Sequence, residues 1–317
     1  MDLIGEAISA MRTGRPKAAR ALLVAPWGLR FQAAGAAGVH VILKGTAWLL
    51  PPDGEPILMS AGDVALVRRG RMHGLADDPG TPLYDVGADT PHRDADHWPQ
   101  DGSALDEGTP GTVLIGGTYY LSGTRPHPLF DSLPDVVHLP ARIGAASTVR
   151  TVIELLGAEM DRQRPGLTAA VPALLDLLLL YTMRSWFESA ENATGWARAL
   201  RDPSLSAALS AIQERPAEPW TVASLAAEGG LSRAAFARRF AELAGQPPLT
   251  YLTWWRMTLA ARLLQSSDAT VDAIAGRVGY GSEYAFSKAF KRELGLPPAR
   301  YRRKQRAAAE ADSAIVG

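Results

Sequence analysis

The chain has 317 residues, 33 basic and 33 acidic, and 47% of it is hydrophobic. That is more length than one ordinary domain needs and enough apolar surface for a packed interior. There is no cysteine, which excludes disulfides, thiolate nucleophiles, cysteine-based zinc or iron–sulfur sites and direct thiol sensing. The first ten residues lack the basic-then-apolar pattern of a secretory signal. The apolar run Leu177–Leu180 sits in a segment broken by Asp176 and Arg184. No bilayer span is therefore expected, and the chain reads as soluble and cytoplasmic.

From residue 21 to 140, short β-rich runs alternate with turn residues. The runs are Val39–Leu43, Ala47–Leu50, Ile57–Met59, Val64–Val67, Val113–Ile115 and Val136–Leu139. Between them stand Gly45, Pro51-Pro52-Asp53-Gly54, Gly62-Asp63 and Gly70. This spacing predicts an antiparallel sandwich or barrel. His40 and His73 could meet on adjacent strands, but a metal site needs a third ligand. His92, His97, His127 and His138 offer no recognisable ligand spacing. His40 and His73 are therefore read as structural or pocket groups, and neither a metal nor a cofactor is expected. Trp27 and Trp48 read first as core, and as lining residues if the fold holds an effector pocket. Residues 76–110, rich in Asp, Pro, Gly and His, predict a long exposed loop.

Residues 148–188 change to helical periodicity. Val149, Val152, Ile153 and Leu156 make one apolar face, and Leu174, Leu177, Leu178, Tyr181 and Met183 to Phe187 make a second, very apolar helix. That surface calls for docking on the β domain or for a homodimer interface. Residues 189–205 read as a polar linker.

Charge then becomes asymmetric. Residues 1–202 carry 18 basic and 23 acidic side chains, whereas residues 203–306 carry 15 and 8. A basic block of this kind suits a polyanion. It also contains a repeat at an offset of 50 residues: Ser232/Ser282, Phe236/Phe286, Phe240/Phe290, Gly245/Gly295, Pro247/Pro297, Pro248/Pro298 and Tyr251/Tyr301. Each copy reads as a short helix, a Gly-containing turn, and a Ser-capped second helix ended by Gly. That is a helix-turn-helix, and a helix over residues 251–264 joins the two copies. With the phenylalanines facing inward, Arg233, Ala234, Ala237 and Arg238 remain outward in the first copy. Glu283, Tyr284 and Lys288 do so in the second. A helix of this kind fits the major groove of double-stranded DNA.

Residues 220–303 resemble the C-terminal DNA-binding domain of AraC/XylS-type transcription regulators. Leu225-Ala226, Ser232, Phe236, Phe240, Gly245, Pro248, Arg256, Ile274-Ala275, Val278-Gly279-Tyr280, Phe290-Lys291, Gly295, Pro298 and Tyr301-Arg302 carry the pattern. The resemblance implies base reading by Arg233, Ala234, Ala237, Arg238, Glu283, Tyr284 and Lys288. Glu283 either reads cytosine or points away from the phosphates. Ser232, Arg239, Ser282, Lys291, Arg292 and Arg302 are expected at phosphates. Residues 25–31, 40–45 and 61–73 resemble the cupin-type sensor domain of one branch of that family. Gly62, Gly70 and His73 keep the second cupin motif with Arg68 in place of its proline, while the first motif retains only His40.

The expectation is an α+β chain of two domains. A cupin-like β-barrel with appended helices, over 1–188, senses and dimerises. A linker covers 189–205, an all-α domain of two helix-turn-helix units covers 206–306, and a disordered tail covers 307–317. The resemblance implies a transcription regulator, with promoter DNA, an unidentified small-molecule effector, RNA polymerase and a second copy as partners. Trp27, His40, Trp48 and His73 are the candidate effector pocket. No Ser/His/Asp, P-loop or dinucleotide pattern appears, so no catalytic residues are assigned. The competing readings are a metal-dependent cupin enzyme with an attached DNA-binding module and a DNA-binding protein with no effector.

Overall fold

The computed structural model describes residues 4–5, 8, 15–32, 36–86, 111–120, 127, 130, 133–141, 148–162, 165–189 and 195–316. Most of the expected 76–110 loop, with His92 and His97, lies outside the described residues. Contacts gather the chain into two units. One is Thr13–Leu121 with Leu133–Ser189; the other is Met1–Arg12 and Ser122–Ser132 with Ala190–Gly317.

The first unit is built on strands β1 (Lys17–Leu23), β2 (Gly28–Phe31), β3 (Ala36–Lys44), β4 (Thr46–Leu50), β5 (Ile57–Ser60), β6 (Val64–Val67), β7 (His73–Ala76), β8 (Tyr84–Val86), β9 (Thr112–Tyr120) and β10 (Val136–Leu139). They form two five-stranded sheets, ordered β1-β9-β3-β6-β10 and β5-β4-β7-β2-β8. Hydrogen bonding closes no ring among the described strands, so the expected barrel is realised as two open sheets. The chain passes from one sheet to the other at Gly45 (φ 76°), where a Cβ would lie 2.8 Å from the Gly111 carbonyl oxygen. Only glycine fits that corner. Thr112 fixes it from β9 by donating its hydroxyl to the Thr46 carbonyl at 2.6 Å.

Side chains alternate along each strand. Leu23, Ile42 and Leu114 from the first sheet meet Leu29, Leu49, Met59 and Leu75 from the second in an apolar core. Two helices, α1 (Thr148–Arg162) and α2 (Leu167–Ser189), pack on each other and on the first sheet. Tyr119 of β9 donates its hydroxyl to the Leu175 carbonyl of α2. The docking alternative for this apolar surface is thus realised within one chain. Leu167–Glu188 is, by length and composition, long and apolar enough to cross a membrane, with a mean hydropathy of 1.4. Leu175, Leu178 and Met183 bury that helix against the fold.

The second unit is helical: α3 (Trp196–Arg201), α4 (Pro203–Glu214), α5 (Val222–Glu228), α6 (Arg233–Ala244), α7 (Pro248–Ser266), α8 (Val271–Arg277), α9 (Glu283–Leu294) and α10 (Pro298–Val316). α3 falls inside the stretch read as linker, and α10 takes in residues 307–316, read as tail. Asp202 separates α3 from α4 and caps α4 by accepting from the amides of Ser204 and Leu205. Gly229 between α5 and α6 passes so close to Ser204 that a Cβ would lie 2.5 Å from its carbonyl oxygen.

Candidate nucleic-acid interface and ligand cavity

The two helix-turn-helix copies are assembled alike. Ser232 accepts from the Ala235 amide at 3.3 Å and Ser282 from the Ala285 amide at 3.2 Å. Phe236 and Phe240 are fully buried with ring centroids 5.6 Å apart; Phe286 and Phe290 are fully buried at 5.5 Å. Gly245 and Gly295 end α6 and α9 in the left-handed conformation, with φ of 70° and 77°. The following tyrosines pack back on the phenylalanines, Tyr251 tilted at 55° to Phe240 and Tyr301 edge-on at 79° to Phe290. Each tyrosine hydroxyl accepts from a glutamine on the helix preceding its copy, Gln213 on α4 and Gln265 on α7. Each copy also has an arginine clamp. Arg256 donates to the carbonyls of Pro216 and Glu218, both at 2.7 Å, and Arg302 donates to those of Leu264 and Ala269.

Burying the phenylalanines fixes which side of α6 and α9 faces out. Arg233, Ala234 and Arg238 are exposed and Ala237 is half-buried; Glu283, Tyr284 and Lys288 are exposed. Tyr284 is 79% exposed, which is unusual for so large a ring and suits a surface that meets a partner. Lys291 and Arg292 lie exposed on α9. Two residues expected at phosphates have internal partners. Arg302 holds the end of α7, as described, and Arg239 pairs with Asp202 at the start of α4. Their charge was legible, but these partners lie 33 to 38 residues away in the chain and were not.

In the first unit, the inner face of the first sheet changes character at one end. Lys17 and Ala19 on β1, Gly116 and Thr118 on β9, and Gly38 and His40 on β3 are register partners on one face. Phe31 and His73 of the second sheet stand opposite, and a cavity of about 120 Å³ lies between them. His40 and His73 meet there, Nε2 to Nε2, at 2.7 Å. Trp27 belongs to the apolar core and Trp48 lies half-buried on β4; neither lines this cavity.

The histidine pair has a definable protonation pattern. Burial holds the His40 pKa well below its ordinary value, and the adjacent His73 adds to that effect. Burial also lowers the pKa of His73, opposed by its bond to the Arg71 carbonyl. Both rings are therefore neutral near pH 7. The Arg71 oxygen can only accept, so His73 Nδ1 donates to it at 3.1 Å. His73 Nε2 is then the acceptor of the pair and His40 Nε2 its donor. That leaves His40 Nδ1 an unprotonated acceptor, buried and without a hydrogen-bond partner among the described residues. Among the described residues, no group of three His, Asp or Glu side chains is placed to hold a metal ion.

The rest of the second cupin motif is structural. Asp63, 5% exposed, accepts from the amides of Ser60 and Ala141 and from the His138 ring. Arg68, standing where the motif has proline, pairs with Asp135 at 2.6 Å, and Arg71 pairs with the same carboxylate at 2.9 Å. Asp135 thereby fixes the turn that presents His73.

Comparison with known proteins agrees with both halves. Residues 2–188 match the Cupin family and residues 225–304 the Helix-turn-helix domain family. The chain is 36% identical to a protein of Streptomyces lividans named as an AraC-like transcription regulator, over 96% of this chain and 98% of that one. It is 30% identical to the HTH-type transcriptional regulator AlkR of Acinetobacter baylyi, over 88% and 91%. The DNA-binding domain of AdpA, solved in complex with a target DNA, is 42% identical over 34% of this chain and 96% of that one, with a TM-score of 0.32. A cupin-like unit joined to a paired helix-turn-helix unit defines a DNA-binding transcription regulator. The chain belongs to the AraC-like family of these regulators.

Proposed function

We propose that this regulator reads promoter DNA with α6 and α9 and takes its signal from a small molecule held in the cupin-like unit. The reading is carried by the matched pair of Ser-capped helices whose buried phenylalanines leave Arg233 and Arg238, then Tyr284 and Lys288, on the outer surface. Arginine or lysine at such positions pairs with guanine, and Glu283 is suited to cytosine. Ala234 and Ala237 leave room for thymine methyl groups. Lys291, Arg292 and the amides near Ser232 and Ser282 serve phosphates. Arg239 ties α6 to Asp202 at the start of α4, and Arg302 holds the end of α7. The protein works in the cytoplasm as a homodimer beside RNA polymerase.

The test is selection of genomic DNA by the full chain at one stated near-physiological salt. A discrete motif with two half-sites about one helical turn apart is expected. Bulk, salt-sensitive binding with no motif would instead favour a DNA-binding protein without sequence choice. The enzyme reading requires a metal, and stoichiometric metal lost on replacing His40 or His73 would restore it.

A further inference from the structure

The ends of β1, β3 and β9 carry residues that a packed sheet would not use. Where Ala21, Leu23, Ile42 and Leu114 fill the core, the same inner face continues as Ala19, Gly38, Gly116 and Thr118, with Lys17 at its rim. Neither Gly38 nor Gly116 has a positive φ, so backbone conformation does not require glycine there. A Cβ on Gly116 would lie 3.8 Å from His40 Nδ1, and one on Gly38 would lie 3.5 Å from the His73 ring. Both distances are ordinary contacts. The glycines therefore keep space open over the histidine pair without being forced by the fold.

We propose that this space binds a compact, flat anion of about one ring's size that also carries a hydrogen-bond donor. The inference rests on reading the cupin-like unit as the sensor and names what it senses. Three features set the chemistry. Size comes from the cavity of about 120 Å³, near the roughly 150 Å³ that holds benzene in an engineered protein interior. Phe31 supplies an aromatic wall, its ring stacked on that of His73 at 5.1 Å and 12°. The donor is called for by His40 Nδ1, a buried acceptor with no partner among the described residues. The charge is called for by Lys17, which faces the cavity and has no carboxylate partner among the described residues, its ammonium lying 5.9 Å from the Tyr120 ring centre. Arg71 also borders the cavity, but Asp135 and Asp53 already engage its guanidinium. A single negative charge on the ligand is therefore matched.

The experiment is calorimetric titration of the metal-free full chain with the three monohydroxybenzoates, benzoate and phenol, followed by DNA affinity with and without the tightest of them. At least one hydroxybenzoate should bind about tenfold or more tightly than both benzoate, which lacks the donor, and phenol, which lacks the carboxylate. Lys17→Gln, at an exposed position, should weaken the hydroxybenzoate about tenfold and leave phenol unchanged. Gly116→Ala should abolish binding of both while keeping the wild-type melting temperature to within a few degrees. Absence of binding by every probe, or binding indifferent to Lys17→Gln and Gly116→Ala, overturns the proposal. Binding that follows the pattern but leaves DNA affinity unmoved sustains the site and overturns the sensor reading instead.

Discussion

Between the two helix-turn-helix copies, the interior is kept and the surroundings are not. Serine caps and phenylalanine pairs recur with nearly the same distances, left-handed glycines recur, and each tyrosine is bonded by a glutamine, at 3.5 Å in the first copy and 2.8 Å in the second. Tyr251 of the first copy, however, stands in a box of rings. Trp254 stacks on it at 5.8 Å, Trp196 lies at 5.2 Å, and His127 is placed edge-on at 5.7 Å with its Nε2 3.2 Å from the hydroxyl. Tyr301 of the second copy has Phe290 and Gln265. The exposed faces differ as well: two arginines on α6 against Glu283, Tyr284 and Lys288 on α9. Conserving the packing while changing the outward residues gives two helices with one architecture and different exposed chemistry. The added rings make only the first copy depend on segments distant in the chain.

Large buried rings give the strongest test of equivalence. Phe236→Ala and Phe286→Ala should each cost about 3–5 kcal/mol in urea unfolding, since both side chains are fully buried. Costs differing by more than the error of the fits would break the equivalence of the two interiors.

The added box makes the first copy acid-sensitive. Burial pushes His127 down to about 3 from an ordinary 6.5. Between those values the unfolded chain takes up a proton that the folded chain refuses. Stability is thus unaffected above about pH 6.5 and falls as the pH drops towards 3, by about 2 kcal/mol at pH 5. His127→Phe should remove this part of the slope in unfolding followed by tryptophan fluorescence; an unchanged slope would show that His127 is not its source.

On the outer faces, Arg238→Ala should weaken specific DNA binding by about 1–3 kcal/mol and relax one base position. A loss uniform across all sequences would make Arg238 a phosphate contact instead. Smallest are the caps: Ser232→Ala and Ser282→Ala should each cost about 1 kcal/mol of stability, and equally. A clear inequality in the melting curves would show that one cap is supported by other contacts.

The repeat was legible because its key residues are chemically unmistakable: Ser as a cap, Gly as a stop, Phe as core. Gln213 and Gln265 belong to the same repeat but stand 52 residues apart rather than 50, so an ungapped comparison passes over them. In the first unit, the apolar strands β3, β4, β5, β6 and β10 were readable. β1, rich in alanine, and the Gly116-Gly117 stretch of β9 were not. The small side chains that hide these strands are those that make the cavity, so the site erased its own signal. A meeting of His40 with His73 was anticipated on adjacent strands; they meet instead from opposite sheets, on β3 and β7. The part of Lys17 and Phe31 was not, because it depends on strand register. Trp27 and Trp48 drew attention by size, and size placed Trp27 in the core.

The box around Tyr251 also bears on how the polypeptide matures. Its four rings come from residues 127, 196, 251 and 254, so a chain emerging from the ribosome must hold His127 in waiting until well over a hundred further residues have been made. Closure is a late, long-range event of the kind that slows assembly. A polypeptide begun at residue 203 would carry both recognition helices but neither Trp196 nor His127. It would be born with one face of its first copy unfinished.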